Sequence, residues 1–146
     1  MKKYFLVFVL FVSLAQAQGM LSQGHLEFIM QRLAEKFLVS HPLVNESVQI
    51  AHIYNFTDEQ KLDLHKAIAV FTESSHLKLA PKSKYQLIFV LKKDIGAVYL
   101  ERAVRVEDWI YKAQILLFDT QKKEPLWEET FTYLFRGRLE GEIGDK

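Results

Sequence analysis

The chain has 146 residues, nineteen Lys and Arg against eighteen Asp and Glu, and a formal charge of +1, with 49% of its residues hydrophobic. This length gives one domain with room for a packed core. The balanced charge excludes the clustered basic surface that nucleic-acid binding needs, and the absence of cysteine excludes disulfide staples.

Residues 1–17 read as a cleavable signal peptide. Lys2 and Lys3 form a positive start, Tyr4 to Leu14 is an uncharged apolar run, and Ala15-Gln16-Ala17 supplies the small-x-small pattern a signal peptidase needs. Eleven apolar residues rise only about 16 Å as a helix, roughly half a hydrocarbon core, so a membrane anchor is the poorer reading. The compact start and short apolar run are of bacterial type. With no cysteine to carry a lipid, the expected product is a periplasmic or secreted protein beginning near Gln18. It has no integral membrane span after cleavage, and its formal charge is about −1 once Lys2 and Lys3 are gone. Residues 18–135 are expected to form a single α+β domain, and residues 136–146, with three glycines and mixed charge, a flexible tail.

Within the domain, 22–39 is predicted as a helix. Leu26, Ile29, Met30, Leu33 and Phe37 recur at three- and four-residue spacing, and His41-Pro42 ends it. Ser47 to Phe56 is a predicted strand. Thr57-Asp58-Glu59-Gln60 reads as a capping box opening a second helix, with Leu64, Ala67, Ile68 and Phe71 buried and a stop near Ser74-Ser75. From Leu77 the period falls to two. Strands are predicted at 84–91, 97–106, 109–118 and 126–135, with a hairpin turn at Lys92–Gly96 in which Gly96 supplies positive φ. The fold class is therefore α+β: helix, strand, helix, then an antiparallel meander, with the helices on one face of the sheet.

Alternation divides each strand into two rows. Trp109, Tyr111, Ala113, Ile115 and Leu117, with Trp127, Phe131, Tyr133 and Phe135, form the more apolar rows and should lie under the helices. The opposite rows carry Lys112, Gln114, Glu128, Thr130 and Thr132, as a hydrated face should, but also Ile88, Val90, Leu116, Phe118, Leu126 and Leu134. A sheet open to water alternates more cleanly. Ile88, Val90, Leu116, Phe118 and Leu134 are therefore candidates for a face covered by the tail, a second copy or another protein.

No chemistry-bearing constellation accompanies this face. None of His25, His41, His52, His65 and His76 forms the His-x-x-x-His pair of a helical zinc site, so no metal site is expected. Ser74-Ser75-His76 lacks a glycine elbow. Glu101, Glu107, Asp108, Glu128 and Glu129 lie on or between predicted strands near Arg102, Arg105 and Lys112, where cross-strand ion pairs account for them. Arg102 shares a row with Val98, Leu100, Val104 and Val106, which makes it a bulge or edge residue, the partner of a carboxylate, or a ligand-binding arginine. No glycine-rich phosphate loop and no cofactor motif is present. The chain is thus read as non-enzymatic, with no cofactor.

Two stretches carry a family resemblance. Ile53-Tyr54-Asn55-Phe56-Thr57-Asp58 leads from a strand into an amphipathic helix. Tyr111 to Asp119 is a strand ending in Asp, joined by a polar turn to Leu126-Trp127-Glu128-Glu129. Over roughly residues 47–135 this resembles small bacterial envelope accessory domains of the penicillin-binding-protein activator and curli secretion channel type. The chain departs from them in lacking a lipid-bearing cysteine and in having a helix before its first strand. The resemblance implies a non-catalytic adaptor that docks to envelope proteins, with self-association as a further possibility. The alternative is a carrier of a small hydrophobic ligand, with a pocket between sheet and helices lined by Trp109, Tyr111, Phe131 and Tyr133.

Overall fold

The computed structural model describes residues 21–40, 46–58 and 61–139. The signal peptide, His41-Pro42, Gln60 and the tail beyond Leu139 lie outside these residues. The elements are α1 (Gln23–Ser40), β1 (Ser47–Phe56), α2 (Leu64–Ser74), β2 (Lys78–Leu79), β3 (Tyr85–Glu101), β4 (Val104–Asp119) and β5 (Pro125–Leu139). The fold is α+β, and the strands form one five-stranded sheet in the order β2-β1-β3-β4-β5.

The sheet is mixed, because β1 runs parallel to both β2 and β3. The α2 helix lies between β1 and β3 in the chain, and parallel neighbours need such a crossover. The meander proper is β3-β4-β5. Its first turn is not at Lys92–Gly96. β3 continues through that segment to Glu101, and the chain reverses at Arg102 and Ala103, with φ of 51° and 65°. Two consecutive positive φ values are the geometry of a two-residue hairpin whose twist matches its strands. Three meander strands thus replace the four expected. Gly96 lies within β3, and its φ is not in the left-handed region.

The second helix also starts later than the Thr57 capping box implies. Thr57 gives its amide and hydroxyl hydrogens to the Asn55 carboxamide oxygen, at 3.0 and 2.7 Å, and so closes a turn at the end of β1. Asp63 caps α2 by accepting from the Lys66 amide at 2.9 Å. Gln23 at the start of α1 holds the Asp63 backbone from both sides, donating to its carbonyl and accepting from its amide. At the other end, Ser75 donates its hydroxyl to the Phe71 carbonyl at 2.6 Å, and His76 takes the left-handed conformation (φ 60°) that turns the chain toward β2. The short β2 has no counterpart among the predicted strands, and β5 runs four residues beyond the expected end at Phe135.

The chain forms two compact units. One contains Ser22–Lys92 and Lys112–Thr132. Its core joins Leu26, Ile29, Met30, Leu33 and Phe37 of α1 and Ala67, Ile68 and Phe71 of α2 to Leu87, Phe89, Leu91, Ala113, Ile115, Leu117 and Trp127 of the sheet. Phe37 is fully buried and stands edge-on to Phe71 (5.8 Å) and Trp127 (5.1 Å). Within this unit the helices lie over Ala113, Ile115, Leu117, Trp127 and Phe131 of the row that the alternation assigned to them. The other unit contains Lys93–Tyr111 and the segment from Tyr133 onward, with Val106, Tyr111 and Phe135 buried.

Candidate docking surface

The face of the sheet away from the helices begins on β1. A bulge falls between Ile50 and His52: Ile50 is paired with Leu87 and His52 with Ile88, so Ala51 has no opposite number. Without it, His52, Tyr54 and Phe56 would share the core row of Val48 and Ile50, since all are even-numbered. The bulge reverses this. His52, Tyr54 and Phe56 turn outward beside Ile88, Val90 and Lys92, while Ile53 and Asn55 pair with the buried Phe89 and Leu91.

These three side chains form a ladder. The His52 and Tyr54 rings are 5.6 Å apart at 30°, and those of Tyr54 and Phe56 6.2 Å apart at 4°. The Lys92 ammonium stands 5.9 Å from the Phe56 ring centre, within cation–π reach. Tyr54 is 44% exposed and Phe56 60%. Aromatic rings so placed leave apolar surface in water that burial under a partner would remove.

Of the five face residues named from the sequence, Ile88 and Val90 on β3 and Leu116 and Phe118 on β4 are half-buried and belong to the same unit as the ladder. On β4 they alternate with buried Tyr111, Ala113, Ile115 and Leu117, and they share their row with exposed Lys112 and half-buried Gln114. Gln114 donates to the Glu128 carboxylate on β5, a polar pair on this row. Leu134, 41% exposed, belongs to the other unit. Alternation places the β3 and β4 members on the row opposite the buried one, where the structure also has them. His52, Tyr54 and Phe56 were missed because nothing in SVQIAHIYNF marks Ala51 as a bulge.

The four residues named for a ligand pocket are placed differently. Tyr111 is fully buried against Phe135, with ring centres 5.4 Å apart. Trp109 is half-buried, with the Lys93 ammonium 4.6 Å from its ring centre. Tyr133 packs on Phe135 at 4.8 Å. Phe131, in the other unit, meets Phe28 of α1 edge-on at 6.5 Å. Two open clefts, of about 450 and 350 Å³, lie by Ile53 and Lys61–His65 and by Gln49, Ile50 and Leu79–Pro81, and none of the four residues lines either one.

The remaining sequence candidates resolve individually. Arg102 is an exposed turn residue, because left-handed backbone at 102 and 103 ends the row it was assigned to. Arg105 pairs with Glu107 at 3.1 Å. Partial burial, with the Asp108 and Glu101 carboxylates nearby, raises the Tyr99 phenol above its ordinary value. His25 is bonded to the Ser22 hydroxyl at 2.8 Å, His65 borders a cleft and His76 ends a helix. Among the described residues, no three His, Asp or Glu side chains are placed to hold a metal, and no helix is long and apolar enough to cross a membrane.

No family model matches the chain, and no curated protein matches it. Solved structures do. The LpoB C-terminal domain from Salmonella enterica is 13% identical, with a TM-score of 0.48 over 71% of this chain and 94% of that one. The PelC dodecamer from Paraburkholderia phytofirmans is 16% identical, with a TM-score of 0.39 over 62% and 72%. Lipoprotein GNA1162 from Neisseria meningitidis is 8% identical, with a TM-score of 0.40 over 67% and 88%. These chains are similar to this one in the arrangement of helices and sheet, and what this chain does is argued below from its own residues.

Proposed function

We propose that the protein is a non-catalytic, exported accessory protein of the bacterial cell envelope, and that it docks a partner protein onto the open face of its sheet. The observation behind this is the outward-turned ladder of His52, Tyr54 and Phe56 beside half-buried Ile88, Val90, Leu116 and Phe118. A bulge that moves three large rings from the core side to the water side is unfavourable for an isolated sheet, and burial under a partner offsets it. Lys92 and Lys112 are exposed on the same rows. The partner that fits is therefore an envelope protein with an apolar patch bordered by carboxylates. Leu134 is a separate apolar point of contact. The export signal at residues 1–17 supports the location.

The test is a pair of substitutions, Leu116→Ser with Phe118→Ser, made in the exported chain. Both side chains are on the row away from the core, so far-ultraviolet circular dichroism should be unchanged. In-cell cross-linking followed by recovery of the tagged chain should lose its partner adduct. Unchanged recovery in a folded variant refutes the proposal.

A further inference from the structure

β1 accompanies β3 only as far as the pair Phe56–Lys92. β3 continues for residues 93–101, and among the described residues no strand pairs with it on that side. Among the described residues this is therefore an unpaired edge, and such an edge presents a row of amide and carbonyl groups. Natural edges are blunted with proline, inward charges or bulges, yet here Ile95 (50%), Val98 (49%), Tyr99 (42%) and Leu100 (75%) are exposed along it. The segment KDIGAVYLE contains no proline, and its charges lie only at its ends.

We propose that this edge pairs with the same edge of a second copy, antiparallel about a two-fold axis at Ala97. In that register Lys93 stands opposite Glu101 of the second copy, Ile95 opposite Tyr99, Gly96 opposite Val98, and Ala97 opposite itself. Lys93 and Glu101 thus meet opposite charges at both ends, and Ile95 and Tyr99 form an aromatic–β-branched pair on each side of the axis, while Asp94 stands opposite Leu100. Lys93 is already held on this row by its own Trp109 ring, 4.6 Å away. A parallel arrangement would set Lys93 against Lys93 and Glu101 against Glu101. Shifting the antiparallel register by one toward the turn sets Lys93 against Arg102 and Asp94 against Glu101. Both alternatives oppose like charges. The two-fold makes the contact isologous, so it closes as a dimer and does not propagate as a fibre. This surface is distinct from the ladder face and stands or falls separately from the docking proposal.

The test uses the exported protein, purified and followed by sedimentation velocity over a concentration series. A monomer–dimer equilibrium is expected. Ala97→Asp, at an exposed position, places two carboxylates opposite each other and should leave a folded monomer. Lys93→Glu makes two attractive pairs repulsive and should weaken the dimer by about tenfold or more, and adding Glu101→Lys should restore it. The natural chain has no cysteine. Ala97→Cys should therefore give a disulfide-linked dimer on mild oxidation, since directly opposed residues of an antiparallel pair lie within disulfide reach. Val98→Cys, displaced from its own copy along the strand, should not. A monomer at every concentration, a dimer indifferent to Ala97→Asp, or equal cross-linking from both cysteine positions overturns the proposal. The docking face is tested apart from it, because Leu116→Ser with Phe118→Ser should leave the dimer intact.

Discussion

Replacing Arg102-Ala103 by Asn-Gly should stabilise the protein. Both residues sit in the left-handed region, at 51° and 65°, where an L residue costs about 1–2 kcal/mol. Glycine at 103 removes that cost but returns about 0.5–1 kcal/mol to the unfolded chain as backbone freedom. Asparagine at 102 tolerates the conformation better than arginine and recovers part of the rest. The expected net gain is about 1 kcal/mol, which for a domain of this size raises Tm by roughly 3–5 °C. Urea unfolding followed by circular dichroism measures it. Gly96→Ala is the control: a Cβ there would meet Ile110 Cδ1 at 2.8 Å, so that variant should lose stability through the forced shift of one side chain. If the turn instead lay at Lys92–Gly96, Asn-Gly would sit inside a strand and destabilise it. A loss of stability from Asn-Gly therefore refutes this reasoning.

Three further outcomes follow from the contacts. Phe37→Ala empties the space between Phe71 and Trp127 and should cost about 3–5 kcal/mol by urea unfolding. Asp63→Ala removes the cap on the Lys66 amide and should cost about 1 kcal/mol, whereas Thr57→Ala, at the predicted capping box, should leave α2 intact by amide hydrogen exchange. Glu129→Gln breaks an exposed 3.3 Å pair with Lys36 and should change stability by no more than about 0.5 kcal/mol.

The sequence made the buried faces of the helices and the two rows of β4 from Tyr111 onward legible, because burial there follows simple periods. Leu26 to Phe37 repeats every three or four residues, and Tyr111 to Phe118 every two. The errors have local causes. Gly96 is the residue most permissive of a turn, but the chain turns at Arg102-Ala103, where neither side chain favours positive φ and the pairing of two long strands dictates the geometry. Thr57 has the residues of a helix cap, but Asn55 two positions earlier captures its donors first. The ladder was invisible for a third reason: a bulge is set by the partner strand's register, and Ala51 is as acceptable inside a regular strand as in a bulge.

The docking claim is tested most directly by photo-cross-linking in living cells from single positions of the exported chain. A photoreactive residue at Tyr54 or Phe118 should give one discrete adduct with an envelope protein, and the same residue at exposed Glu35 on α1 should give none. Adducts that form equally from both faces, or none from Tyr54 and Phe118 in a folded and exported protein, would contradict it.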